Sequence, residues 1–285
     1  MRRLIRLEFS KAFRNKWYVI ALLTAVGLGV ASAIAGTMSA KAWLALKDGG
    51  SYEWIVLSTQ GSYNNSLLLG SDVWREVFFL VLPLLVVIPY SCSLRTEIVD
   101  GCLNQVYVRA GRGKYLFAKA LAVFCVAGSI VVLALVINFA LVSCLLPAYQ
   151  PEALDSLYNG VAPEEAFASL LYGTSPWLYL LVNTLVDAAL LGSWAVLVLA
   201  ASSVIDNRVA LLAGAFLSVL AAAYLNSVVF GAIGTNGFAF GLIDLSRGVP
   251  AGSYHRLAFW LFAVLGLTLA TGVGLLRLRR DGDVL

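Results

Sequence analysis

Residues 116–146 read LFAKALAVFCVAGSIVVLALVINFALVSCLL, and they set the solvent in which this chain has to fold. Lys119 is the one charged residue in the stretch, which exceeds the ~20 residues a helix needs to cross a hydrocarbon core. A helix satisfies its backbone N–H and C=O groups internally, as lipid requires. Five further blocks read the same way: 17–37, 73–90, 177–204, 209–229 and 257–278. The block at 73–90 is the least regular, with Arg75 and Glu76 at its start and Pro83 and Pro89 within it. Membrane helices tolerate proline, so a kinked spanning helix is expected there. The expected fold is all-α: one polytopic domain, 1–285, with six transmembrane helices.

Composition agrees. Of the 285 residues 60% are hydrophobic and 13% charged, against roughly 45–50% and about 25% in soluble domains. The net charge of +4 does not signal nucleic-acid binding, because the basic residues sit at the ends of apolar blocks instead of forming one patch. Cys92, Cys102, Cys125 and Cys144 lack CxxC spacing and a companion histidine cluster, so neither a disulfide framework nor a metal site is expected. His255 is the only histidine and reads as an interfacial polar residue.

Orientation follows from the Lys and Arg distribution, since cytoplasmic flanks are enriched in them. Fifteen of the 20 fall in 2–16, 95–119, 208 and 277–280; the other side holds Lys41, Lys47, Arg75, Arg247 and Arg256. Both termini are therefore expected in the cytoplasm. The acidic connection 147–176, with Glu152, Asp155, Glu164 and Glu165 and no basic residue, agrees. A basic start followed by Ala33-Ile34-Ala35 suggests a signal peptide, but the apolar run is long enough to span, whereas a signal h-region has ~7–15 residues. The first span is expected to stay in the mature chain.

Two cytoplasmic segments have more structure than simple flanks. Before the first span, Ile5, Phe9, Phe13 and Trp17 recur every fourth residue among Arg2, Arg3, Arg6, Lys11 and Arg14. That pattern predicts a basic amphipathic helix over 1–16, its apolar stripe in acyl chains and its cations at anionic headgroups; the alternative is a plain positive flank. Between the second and third spans, 91–119 reads SCSLRTEIVDGCLNQVYVRAGRGKYLFAK. Ile98, Cys102, Leu103 and Val106 fall at helical spacing, predicting a short helix that ends at Ala110-Gly111. Such a helix offers a docking surface; the alternative is a loop lying on headgroups. Gly113-Lys114 is not a phosphate loop, because Val108 and Tyr115 occupy positions that require Gly and Ser or Thr. Nor do the spans hold a paired acid and base or nucleophile and base.

This order of parts resembles the ABC-2 family of bacterial ABC-transporter permeases. The likeness lies in the basic segment LIRLEFSKAFRNKWYVI and the second segment EIVDGCLNQVYVRAGRGKYLFAKAL, where Glu97, Gly101, Arg109, Arg112, Tyr115 and Lys119 match. The resemblance implies an interfacial elbow helix at 2–16 and a coupling helix within 97–108 that docks onto a separate cytoplasmic ABC ATPase subunit. It also implies a second permease subunit, identical or paralogous, around a translocation pathway in a bacterial cytoplasmic membrane. ATP and magnesium are expected in the ATPase; no cofactor, catalytic residue or metal is expected in this chain. By that analogy the substrate is hydrophobic or amphipathic, such as a peptide antibiotic, exported for immunity or resistance. The segment 230–254, FGAIGTNGFAFGLIDLSRGVPAGSY, suits either a re-entrant element or an external loop.

Inside the fourth span, Asp187 and Asn183 lie one helical turn apart. A carboxylate there costs roughly 2.5–3.5 kcal/mol on insertion scales and marks a functional hypothesis. The pair either lines a pathway or binds a cation, or it hydrogen-bonds a neighbouring helix through Asn138. An ion-gradient-driven transporter using Asp187 is the rival reading, although the internal repeats expected of one are not evident. In the first span Gly27, Ala31 and Ala35 form a small-residue stripe suited to close helix packing.

Overall fold

The computed structural model describes residues 1–48, 58–101, 111–152, 168–233 and 242–246, with single positions 155, 265, 266, 268 and 272. All regular elements among them are helical: α1 (Arg2–Phe13), α2 (Lys16–Asp48), α3 (Val73–Val87), α4 (Ser93–Val99), α5 (Arg112–Leu145), α6 (Ser169–Thr174), α7 (Pro176–Ala201), α8 (Arg208–Ile233) and α9 (Leu242–Ser246), with one 3₁₀ turn at Ser58–Gln60. The expected span 257–278, the segment 234–241 and His255 lie outside the described residues, apart from the single positions named.

Four helices are long and apolar enough to cross a membrane: Lys16–Leu46, Gly113–Leu145, Pro176–Ala201 and Arg208–Leu225. The expected span at 73–90 is different. Its helix, α3, has 15 residues, or about 22 Å, short of the roughly 30 Å hydrocarbon core. It sits centrally, with Phe78, Phe79 and Leu82 fully buried. Polar and proline chemistry at its two ends accounts for the length. Asp72 caps it, accepting from Arg75 N at 3.0 Å, and beyond Val87 the chain turns through Pro89 toward α4.

Helix ends elsewhere also follow from single residues. Asn15 separates α1 from α2: its Oδ1 accepts from Trp17 N at 3.1 Å and its Nδ2 donates to Pro89 O at 2.5 Å. One side chain thus caps α2 and pins the α1–α2 junction to the turn after α3. Pro176 opens α7 at a position where its missing N–H leaves no gap. Asn207 Oδ1 accepts from Val209 N at 2.9 Å at the start of α8.

Helix α5 is central, packing against α1, α2, α3 and α7. Small residues allow the close approaches. A Cβ on Gly192 of α7 would lie 2.8 Å from the Phe124 ring of α5, and one on Gly128 would meet Ala188 O at 3.6 Å. On α2 the stripe that faces the core is Ala21, Ala25, Gly29, Ala33 and Ala40, and not the expected Gly27, Ala31 and Ala35. Gly27 is exposed with open space around its Cα, whereas Gly29 abuts Ala134 O of α5. The helix carries small residues on more than one face, so spacing alone does not select the packed one.

Candidate functional site

Segments 2–16 and 91–119 meet at one end of the bundle, where α1 lies against α5. The buried line of α1 is Glu8 and Ala12, one turn apart and 1% and 0% exposed. Phe9 and Phe13 flank this line and pack against the protein core, with Phe13 edge-on to Tyr18 at 5.1 Å between centroids. The stripe expected to face acyl chains is therefore divided. Phe9 and Phe13 turn toward the bundle, Ile5 is half-buried, and Trp17, exposed, belongs to α2 because Asn15 ends α1 before it. The outward face of α1 carries Arg2, Arg3 and Arg6, with exposed Arg14 just past its end.

Beneath α1 lies a ring of charges, buried at Glu8 and Lys119. Lys119 of α5 is fully buried; its Nζ lies 2.5 Å from Glu97 Oε2 of α4 and 3.8 Å from Glu8 Oε2 of α1. Lys11 Nζ closes the ring from the more exposed side, 3.3 Å from Glu8 Oε1 and 3.3 Å from Glu97 Oε1. Two tyrosines complete it. Tyr90 OH donates to Glu8 Oε2 at 2.9 Å; Tyr115 OH donates to Glu97 and accepts from Lys119 Nζ at 2.9 Å. The ammonium of Lys119 sits over both rings, 5.4 Å and 5.2 Å from their centroids.

Two carboxylates and two ammonium groups leave the ring neutral. Burial works against the charge of Lys11, but Glu8 and Glu97 outweigh it and its pKa is raised. Each buried charge is tolerable because the others surround it; removing one partner of such a pair typically costs about 3–5 kcal/mol. The ring ties α1, the end of α3, α4 and the first turns of α5 into one unit.

Glu97, Tyr115 and Lys119 are thus brought together. Gly101 stands apart, with φ +68 just beyond α4, whose end it marks in the left-handed conformation that favours glycine. Of the helix expected within 97–108, positions 97–99 form the end of α4 (Ser93–Val99); Arg109 and residues 102–108 lie outside the described residues, and Arg112 begins α5. Sequence reasoning missed Glu8, Lys11 and Tyr90. The signal for Glu8 was present: it is the only acid before Asp48, within a strongly basic helix.

The intramembrane polar residues do not form one group. Asn138, 1% exposed, donates to Gly29 O of α2 at 2.8 Å and accepts from Leu67 N at 2.8 Å. Asn183 bonds within its own helix, to Tyr179 O at 2.9 Å. Asp187 is 3% exposed, and its Oδ2 has no hydrogen-bond partner among the described residues. The charged group whose field reaches it is Arg75, which itself donates to Leu67 O and Leu68 O, both at 3.1 Å. Between α5 and α7 opens an apolar cavity of about 370 Å³, walled by residues including Leu135, Phe139, Trp177, Leu181 and Leu185.

No family model and no curated protein matches this chain. What the site can do is therefore argued from its geometry. It holds an ion-paired junction between α1, the short helix α4 and the membrane-length helix α5, and such a junction can transmit displacement between them.

Proposed function

We propose that this chain is the membrane-spanning permease subunit of an ATP-driven transporter, with six crossings, of which the short α3 and the turn after it make the second, and both termini in the cytoplasm. The observation that supports it most is the charge ring Glu8–Lys11–Glu97–Lys119. A motor pushing on α4 acts on Glu97, which is held to α5 through Lys119 and Tyr115 and to α1 through Lys11. Displacement of a seven-residue helix at the surface would then move a 34-residue helix at the centre of the bundle. The likeness of these two segments to ABC-2 permeases supports the same reading, with ATP and magnesium held by a separate ATPase subunit and a second permease subunit completing the pathway. The apolar cavity between α5 and α7 suits a hydrophobic or amphipathic cargo, with a peptide antibiotic as the first class to try. Co-purification of the full chain with a soluble ATPase, lost when 97–108 is scrambled, tests it; a stable, active protein without such a partner would sink it.

One observation favours a second reading, an ion-gradient-driven transporter: the unpaired Oδ2 of buried Asp187. It predicts transport that follows the gradient and ignores ATP depletion. Asp187→Asn separates the two, because retained transport with normal assembly would remove any pathway role for the carboxyl.

A further inference from the structure

At the same end of the bundle, beside the charge ring, lies a second cavity of about 540 Å³, bordered by α1, α4, the 88–92 turn and the start of α8. Its wall brings together Lys11, Arg208 and Ser93 with Trp17 and Leu212. Arg208 makes no hydrogen bond or ion pair to a described residue; Asp206, the nearest acid in sequence, is held by Arg95 at 2.9 Å. Lys11 uses two contacts on Glu8 and Glu97, and an ammonium has a third N–H to offer. The one carboxylate in the wall, Glu97, is already engaged by Lys11, Tyr115 and Lys119. The wall therefore presents donors and an uncompensated positive charge. On its flank stands Trp17, 57% exposed, at the first turn of a membrane-length helix, where aromatic residues meet headgroups.

We propose that this cavity binds the phosphodiester headgroup of an anionic membrane lipid, held by Arg208 and Lys11, while its acyl chains run along Trp17 and Leu212. Such a lipid would bridge α1 and α8, which have no bond to each other among those described, and would couple the charge ring to the lipid composition of the inner leaflet. This rests on the chain spanning a bilayer with this end inside. Sulfate or free phosphate shares the chemistry, but the apolar flank commits the site to lipid.

The test uses the full chain in phosphatidylcholine vesicles, titrated with quencher-labelled phosphatidylglycerol or equally labelled phosphatidylcholine. Trp17 quenching is read as the difference between the wild type and Trp17→Phe. Phosphatidylglycerol is expected to quench at about fivefold lower mole fraction, the effect of one basic side chain near an anionic surface. Arg208→Gln should abolish the preference, Arg208→Lys should keep most of it, and inorganic phosphate should leave it unchanged. A preference surviving in Arg208→Gln, or lipid displaced by inorganic phosphate, would overturn the proposal. A chain that does not float with the vesicles contradicts the membrane reading as well, whereas one that floats without a preference contradicts this site alone.

Discussion

Glu97 and Lys119, 22 positions apart, meet at 2.5 Å with the lysine wholly removed from solvent. Lys119 is the single charge in the apolar block 116–146, and its partner comes from the connection that precedes the block. The pair shows how this chain admits a lysine into its core: Lys119 is matched by carboxylates from two other elements, Glu97 of α4 and Glu8 of α1.

Lys119→Met should destabilise the protein by about 3–5 kcal/mol, because it strands Glu97 and Glu8 without their buried counter-ion. Thermal unfolding in detergent measures it. The double variant Glu97→Gln/Lys119→Met should lose less than the sum of its singles, with a coupling of about 0.5–3 kcal/mol. Strict additivity would mean that the two side chains do not interact.

Gly192→Ala should cost about 1–3 kcal/mol, since a methyl there would overlap the Phe124 ring and force α5 and α7 apart. Gly27→Ala, with open space at its Cα, should be neutral or stabilising by up to about 1 kcal/mol through helix propensity. Parallel melting curves check the pair: a neutral Gly192→Ala would contradict the close contact of α5 and α7, and a destabilising Gly27→Ala would contradict the assignment of the packed face of α2.

Asn138→Ala removes the acceptor of Leu67 N and a donor to Gly29 O, and should cost about 1–3 kcal/mol for the unsatisfied groups. Asn183→Ala breaks only a bond within its own helix and should stay near ~0.6 kcal/mol. The same melts, read at matched detergent, discriminate them.

These contrasts mark what the residues alone disclosed. The apolar blocks of α2, α5, α7 and α8 were legible because nothing but a membrane-length helix suits so long a run. The block at 73–90 was not, because its composition is that of a span while its length is set by the Asp72 cap and the turn at Pro89. In the site, Glu97, Tyr115 and Lys119 were singled out by the resemblance to ABC-2 permeases and by no periodicity of their own. Glu8, Lys11 and Tyr90 were not, since their partners are 82 or more positions away for Tyr90 to Glu8 and Lys11 to Glu97. Periodicity reports which face of a helix is apolar and is silent about which charge crosses to meet it.

Burial pushes the Cys92 thiol above its ordinary range, while the Arg208 charge pulls it partly back. A raised pKa leaves less thiolate at neutral pH, so maleimide labelling of Cys92, with the other three cysteines replaced by alanine, should be slow at pH 7. It should accelerate about tenfold per pH unit until the thiol titrates. Arg208→Gln should slow it further at every pH below that point. Faster labelling in the variant would place Arg208 away from Cys92.

The most direct measurement is the ATP hydrolysis that co-purifies with the tagged full chain in mild detergent from its native membranes, compared with a variant scrambled at 102–108, which keeps the Glu97 ion pairs. The wild type is expected to bring down a magnesium-dependent ATPase that the scrambled chain leaves behind. A wild-type chain that moves its cargo in vesicles without any ATPase, at a rate that follows an ion gradient and ignores ATP, would contradict it.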